Sequence, residues 1–387
     1  MLLVIRESII GKTEWLNKWE MITNSPSKKI WNKFKRNKLA FGGLIFILVL
    51  MLMGVLGYLI TPDQTPYANT MHLQLSNKKP FRTFDFLIIN RNKSIKKVNI
   101  FRKMLFGQEA NFKSIPITSY RLEGNQIFVR EYIGDDENGE ETSYKINSQQ
   151  NFEKNNIYAQ TYYLGTDMYG RDLLSRLVLG IRVSLSVGLM AVLISLCIGV
   201  SLGAIAGYFG GKIDAFISWF MNVIWSLPSL LLVIAISFAL GKGFWQIFIA
   251  VGLSTWVDVS RLVRGQVMAL KEVEFVEAAK ALGFSTQRTI LKHILPNIAG
   301  PILVVASANF ASAILLETGL SFLGFGAQPP MPSWGSMIKE HYGYIIMDAA
   351  YLAVLPGLAI MLTVYAFNLL AIGLHSDLLH QMHRASR

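Results

Sequence analysis

Charge is scarce in this sequence: 16% of its 387 residues are Asp, Glu, Lys or Arg, where a soluble domain carries about 25%. Cysteine is nearly absent. The single Cys197, set in an apolar run, excludes an internal disulfide and a cysteine metal cluster, and reads as a small buried hydrophobe. A nucleotide-binding phosphate loop is missing. Gly11-Lys12-Thr13 has Arg6 where the leading glycine belongs, and Gly211-Lys212 and Gly241-Lys242 lack the following Ser or Thr. There is no His-Glu-x-x-His helix, no Gly-x-Ser-x-Gly elbow and no metal-spaced His/Cys set, so the chain is expected not to be an enzyme and to hold no metal.

What is abundant is apolar sequence. Hydrophobic residues make up 52% of the chain, and runs near or above the roughly 20 residues that cross a bilayer recur. The fold class is therefore an all-α polytopic membrane protein. Six spans are expected, at 39–60, 183–208, 214–240, 243–260, 298–322 and 350–374. The formal net charge of +12 gathers before the first span, at 28–38, and again in 261–292. Loops retained in the cytoplasm carry that bias, and a nucleic-acid surface would want base-reading aromatics on a soluble fold. Lys35, Arg36 and Lys38 hold the first span's start inside, so 1–38 is expected to be a cytoplasmic segment and not a secretory leader. An even number of spans returns the tail, 381–387, to the same side.

Residues 61–163 then fall outside as an insertion. Within it, 125–133 and 142–146 favour strands by their β-branched and aromatic content, and 134–141 reads as the turn between them. Pro228 in the third span and Pro356 in the sixth each remove a backbone donor and should kink their helices, as packing geometry or as hinges.

Between the fourth and fifth spans lies a charged elbow, "EFVEAAKALGFSTQRTILKHILPN" (274–297). Glu272, Glu274 and Glu277 precede Lys280, which complements the dipole of a short helix. Gly283 suits the left-handed position that ends it, and Ser285 or Thr286 can cap a second helix with an apolar stripe of Ile290, Leu291, Ile294 and Leu295. Ala278 and Ala279 leave a smooth face for another protein. Glu277-Ala278-Ala279, Gly283 and Leu295-Pro296 at these spacings resemble the EAA loop of ABC-importer permeases. That resemblance implies a first helix docked in a cleft of a cytoplasmic ATPase, carrying its motion to the spans. His293, where the general pattern has an aliphatic residue, reads as a packing or capping residue.

A second stretch is "LGTDMYGRDLLSRLVLGIRVSL" (164–185). Gly165 to Gly170 form a turn and Asp172 opens a helix. Leu173, Leu174, Leu177, Val178 and Ile181 share one face, opposite Arg171, Ser175, Arg176 and Arg182, as in a helix lying in the outer interface before the second span. Gly165-Thr166-Asp167, Gly170-Arg171-Asp172 and Ser175-Arg176 resemble the dipeptide/oligopeptide/nickel class of importer permeases, C-type subunit. So do "WNKFKRNKLAFGGLI" (31–45) and "LSFLGFGAQPPMPSWG" (320–335). The likeness covers about 31–60 and 164–380. The sequence departs from it in the long insertion and at Asn222, where members often carry an acid.

The resemblance implies a type I importer permease fold with six transmembrane helices, a permease core at 164–380 and a coupling loop at 261–296, in a bacterial cytoplasmic membrane. It implies one membrane subunit of an ATP-driven importer of di- or oligopeptides. The implied partners are a sister permease, two cytoplasmic ATPase subunits that hydrolyse ATP with Mg, membrane lipid, and a solute-binding protein received at 164–182 and 325–349. No cofactor is bound directly, and nucleic acid is not a partner. Asn222, Asn309 and Glu317 are candidate path residues. Glu317 is also readable as a structural element, and Asn309, like Ser307 and Ser312, as an interhelical hydrogen-bonder. The alternatives are the same architecture carrying nickel chelates or peptide-like antibiotics, or an ATP-independent channel or carrier.

Overall fold

A computed structural model describes residues 34–90, 98–124, 126–135, 138–145, 156–241 and 243–385. The basic residues at 28–33, Gly11-Lys12-Thr13, Lys242 and the last two residues of the tail lie outside the described residues. Asn37 caps α1 (Lys38–Ile60) by accepting from the Ala40 amide at 3.2 Å. The insertion follows, built from β1 (Arg82–Asn90), α2 (Ile100–Phe106), β2 (Phe112–Glu123), β3 (Gln126–Tyr132), β4 (Asn138–Lys145) and β5 (Ile157–Tyr162). The strands form one antiparallel sheet in the order β4-β3-β2-β1-β5, with Phe86 opposite Pro116 on one side and Tyr158 on the other. Alternation gives the sheet two apolar faces. Phe84, Phe86, Tyr132 and Tyr162 bury Leu75 of the preceding loop, while Leu87, Ile115, Ile117, Ile127 and Val129 form the second cluster. The turn expected over 134–141 is shorter, because β4 already begins at Asn138.

Next come α3 (Leu173–Phe209), α4 (Gly211–Trp225), α5 (Ser229–Leu240), α6 (Phe244–Leu270), α7 (Glu274–Ala281), α8 (Thr286–Thr289), a π-helical turn at Ile290–Ile294, α9 (Leu295–Leu323), α10 (Trp334–His341) and α11 (Tyr351–Ala385). Among the described residues five helices are long and apolar enough to cross a membrane, and α4 with α5 forms a pair bent by 93°. The third span expected at 214–240 is thus a broken one. Pro228 sits between its halves instead of kinking a continuous helix, whereas Pro356 stays inside α11. The fourth span runs ten residues past the expected 260, because Val263 and Val267 remain buried against α3 beyond the apolar stretch.

Close packing fixes the number of crossings. Cβ atoms placed on Gly199, Gly203 and Gly207 of α3 would stand 2.5 to 2.7 Å from the carbonyl oxygens of Trp256, Ser260 and Arg264 on α6. Both series climb by four residues, so α3 and α6 run parallel, their backbones brought together by small residues. Parallel neighbours require the α4–α5 pair to carry the chain back across the layer. Helix α1 is antiparallel to two neighbours: Gly43 meets Ala366 and Leu369 of α11, and Gly54 and Gly57 meet Ile181 and Leu179 of α3. With the bent pair counted as one span, six crossings result among the described residues, with the insertion, the α5–α6 turn and α10 on one face, and the elbow, the start of α1 and the far end of α11 on the other. Cys197, expected to be buried, is exposed on α3; an apolar run marks a span without saying which of its faces meets lipid.

Candidate functional site

The 164–182 stretch is an internal knot. Gly170 adopts φ +69°, and a Cβ there would collide with the His72 carbonyl, so the turn demands glycine. Asp167 accepts from the Tyr169 and Arg171 amides, both at 2.9 Å, and pairs with the Arg171 Nε at 2.5 Å. The same guanidinium donates to Glu340 of α10 at 2.8 Å, and Arg176 stands 3.6 Å from Asp167 and 3.7 Å from Glu340. Two acids and two guanidiniums balance there, and Asp167, Arg171 and Arg176 are at most 3% exposed. Asp167, Glu340 and His341 bring three ligating atoms within 4.8 Å, but the two guanidiniums already neutralise the carboxylates and repel a cation. Burial pushes the His341 imidazole below its ordinary value, and its Nδ1–H donates to the Met337 carbonyl at 2.7 Å.

Asp172 caps α3, accepting from the Ser175 amide at 2.8 Å and from the Ser175 hydroxyl. Burial pushes its carboxyl up to about 6. The Ser175 hydroxyl receives the Asp63 amide at 3.0 Å, and the Thr166 hydroxyl receives the Lys78 amide at 2.8 Å while donating to the Leu75 carbonyl. The root of the insertion is stitched to this turn. Gly165 lies against the Lys78 carbonyl, and Trp334 of α10 donates to the Leu177 carbonyl at 3.0 Å. The amphipathic surface helix expected over 172–182 is therefore not separate. It is the buried first part of the 37-residue α3, with protein on both of its faces. The signature side chains hold elements together and present little surface to a visiting protein.

At the α4–α5 break, Trp225, Ser229, Ser254 and Asp258 line a pocket of about 240 Å³. Asn222 is exposed here and accepts from the Arg261 Nη2 at 2.7 Å; that guanidinium also lies 4.1 Å from the Trp225 ring centre. Asp258 and Arg261, one helical turn apart, were not singled out by sequence reasoning; a charge inside an apolar span was the available signal. A second missed pair is Asp214 with Arg264, joined by two bonds of 2.5 and 2.6 Å between α4 and α6. The other two candidate path residues lie elsewhere. Asn309 is buried and donates to the Thr255 carbonyl at 3.1 Å and to Ser195 at 3.4 Å, tying α3, α6 and α9. Glu317 is fully buried and accepts from Ser321 at 2.6 Å beside Ser333. Neither joins the pocket.

On the opposite face, α7 forms the elbow's first arm. Val276 is buried in a cluster with Val263, Val267, Ile294 and Ile298, and Ala279 is buried too. Glu277 and Ala278 face out, with Val273, Phe275 and Leu282 also exposed. Ala278 and Ala279 thus do not share a face: one meets the spans, the other is free. Gly283, at φ +77°, ends the arm and lets the Phe284 amide bond back to the Ala279 carbonyl at 3.1 Å. Ser285 caps α8. Of the expected apolar stripe, Ile294 is buried, Ile290 and Leu295 are half-buried, and Leu291 is 63% exposed. His293 stacks on Phe284 at 5.5 Å, a packing contact. Pro296 sits in the first turn of α9, directly after the π-helical turn at Ile290–Ile294.

Comparison with known proteins adds the following. The family described as binding-protein-dependent transport system inner membrane component matches residues 199–381, and the N-terminal transmembrane domain of oligopeptide transport permease C matches 25–80. The dipeptide transport system permease protein DppC of Alkalihalophilus pseudofirmus is 44% identical over 217 residues, 56% of this chain and 71% of its own. The oligopeptide transport system permease protein OppC of Haemophilus influenzae is 42% identical over 56% of this chain and 70% of its own. The glutathione transport system permease protein GsiD of Pectobacterium atrosepticum is 39% identical over 57% and 73%.

Proposed function

This chain belongs to the binding-protein-dependent transport system inner membrane components, as a permease of the dipeptide and oligopeptide group, and from that premise we propose that it imports short peptides together with a sister permease. Two cytoplasmic ATPase subunits hydrolyse ATP with Mg, and a solute-binding protein delivers the peptide. The chain itself carries no ATPase site and binds no cofactor. In this reading the elbow face and both termini are cytoplasmic, the insertion is extracytoplasmic, and the bilayer is a bacterial cytoplasmic membrane.

The observation that carries the proposal is the two-sided character of α7. On its inner face Val276 is packed into the same cluster as α3, α6 and α9, and Ala279 is buried beside it in the chain. Its outer face offers Phe275, Glu277, Ala278 and Leu282, all exposed among the described residues. A push from an ATPase on that face is transmitted to three spans at once, because a close-packed interior moves as a body. Transport follows if the ATP-bound engine and the loaded receptor each bind one of two permease states more tightly. Asn222, Arg261 and Asp258 beside the broken span supply a carboxylate and a guanidinium at membrane depth, complementary to the two charged ends of a peptide; discontinuous helices recur at such sites. Asn309 acts as an interhelical tie, and Glu317 accepts from Ser321 within its own helix.

The test is reconstitution of this chain with its sister permease, ATPases and binding protein in liposomes. Labelled short peptides should accumulate only with ATP on the ATPase side, and Asp258→Asn should slow peptides with a free amino end more than N-acetylated ones. Accumulation without ATP would make the protein a carrier, and accumulation of nickel chelates in place of peptides would change the substrate class.

A further inference from the structure

The helix α2 leaves large apolar side chains uncovered. Ile100, Phe101 and Leu105 are 61%, 69% and 55% exposed. With Met104 they fall within an arc of about 140° on a 100°-per-residue wheel, and Arg102, Lys103 and Phe106 occupy the rest. Such a surface is ill-suited to water.

Its place relative to the first span is set by one guanidinium. Arg182 of α3 donates to the Gly54 and Val55 carbonyls of α1 at 2.5 and 2.9 Å, and to the Met104 and Leu105 carbonyls of α2 at 2.6 and 2.8 Å. The same group lies 4.6 Å from the Tyr58 ring centre. Gly54 and Val55 precede the end of α1 at Ile60 by five or six residues, about 8 Å along the axis. Arg182 itself stands immediately before the apolar run 183–208. The last turn of α2 is thereby fixed beside Gly54 and Val55 in the last third of α1, a stretch on which Leu52 and Val55 are exposed. The Met104 and Leu105 carbonyls, which lie in the last turn and lack intrahelical partners, are satisfied by the guanidinium.

We propose that α2 lies in the headgroup–acyl boundary of the leaflet on the insertion face, where Ile100, Phe101 and Leu105 enter lipid and anchor the insertion to the bilayer. The apolar arc continues the exposed apolar surface of α1, and the exposed Arg102 meets lipid phosphates, the usual composition of an interfacial helix. The occupant is lipid.

The test uses the assembled transporter in nanodiscs of phosphatidylcholine with phosphatidylglycerol, in a Cys197→Ser background. Nitroxide labels on Phe101→Cys and Leu105→Cys should be relaxed more by oxygen than by a water-soluble nickel chelate. They should match the sign at Leu52→Cys on α1 and oppose that at the exposed insertion position Ile133→Cys. Dominance of the nickel chelate at 101 and 105 would place the helix in water, and protection from both reagents would show a protein cover; either overturns the proposal. Phe101→Trp, read without a label, should be quenched severalfold more by lipids brominated near the headgroup than by those brominated at the chain end. Equal quenching would also count against it.

Discussion

Gly203 of α3 lies so close to Ser260 of α6 that a Cβ on the glycine would stand 2.5 Å from the serine's carbonyl oxygen. The contact repeats one turn above at Gly199 and one turn below at Gly207, and it makes α3 and α6 a parallel pair that works as one body. The elbow hangs from the end of that pair, since Val276 of α7 shares a cluster with Ala204, Val263 and Val267.

A side chain at this seam must force the helices apart. Gly203→Val should destabilise the detergent-solubilised protein by about 1–3 kcal/mol, the usual cost of overpacking. Gly42→Ala, on α1 with nothing within 4 Å of its Cβ, should be neutral or slightly stabilising because alanine is the better helix former. Thermal unfolding of the two variants side by side checks the difference.

The Asp167–Arg171–Glu340 chain gives a second prediction. Arg171→Ala leaves two buried or half-buried carboxylates sharing only Arg176, and breaking such a pair costs about 3–5 kcal/mol. Arg171→Lys should recover only part, because an ammonium cannot reach Asp167 and Glu340 with the spread of a guanidinium. Denaturant midpoints and the yield of folded protein report the order wild type, Lys, Ala.

Much of this was legible in advance. Apolar run length gave six crossings, β-branched content located β3 and β4, and glycine with its flanking helix formers gave the bend at Gly283. The rest depends on neighbours that a linear pattern does not name. Pro228 announces a lost donor but not whether the helix kinks or breaks; the 93° bend needs the surrounding helices. Three glycines spaced by four are unremarkable until α6 lies along them. The signature at 165–176 looked like a receiving surface, and Glu340, its essential counter-charge, is more than 160 residues away. Helix α2 is too short for any hydropathy window to single out.

Asp172 makes a prediction about pH. Its carboxyl is raised from an ordinary 3.8 to about 6 by burial, so between about pH 4 and 6 the folded state holds a proton that the unfolded chain has lost. This group's contribution to stability is full below pH 4 and is lost as pH rises through 6. Asp172→Asn, which keeps a capping oxygen without the charge, should flatten that limb and stabilise the protein at pH 7. Asp172→Ala should forfeit the cap, at about 1 kcal/mol. Unfolding midpoints at pH 4, 5, 6 and 7 for the three proteins check the sign.

The account rests on α7 meeting an ATPase on the cytoplasmic side, and site-directed cross-linking measures that directly. In a Cys197→Ser background, Ala278→Cys should join the co-purified ATPase subunit through a short thiol cross-linker and should resist a membrane-impermeant thiol reagent in intact spheroplasts. Ile346→Cys, on the opposite face and 92% exposed, should behave in the reverse way. Labelling of Ala278→Cys from outside, with no cross-link to an ATPase, would contradict the assignment of the elbow as the point where chemical work enters the membrane.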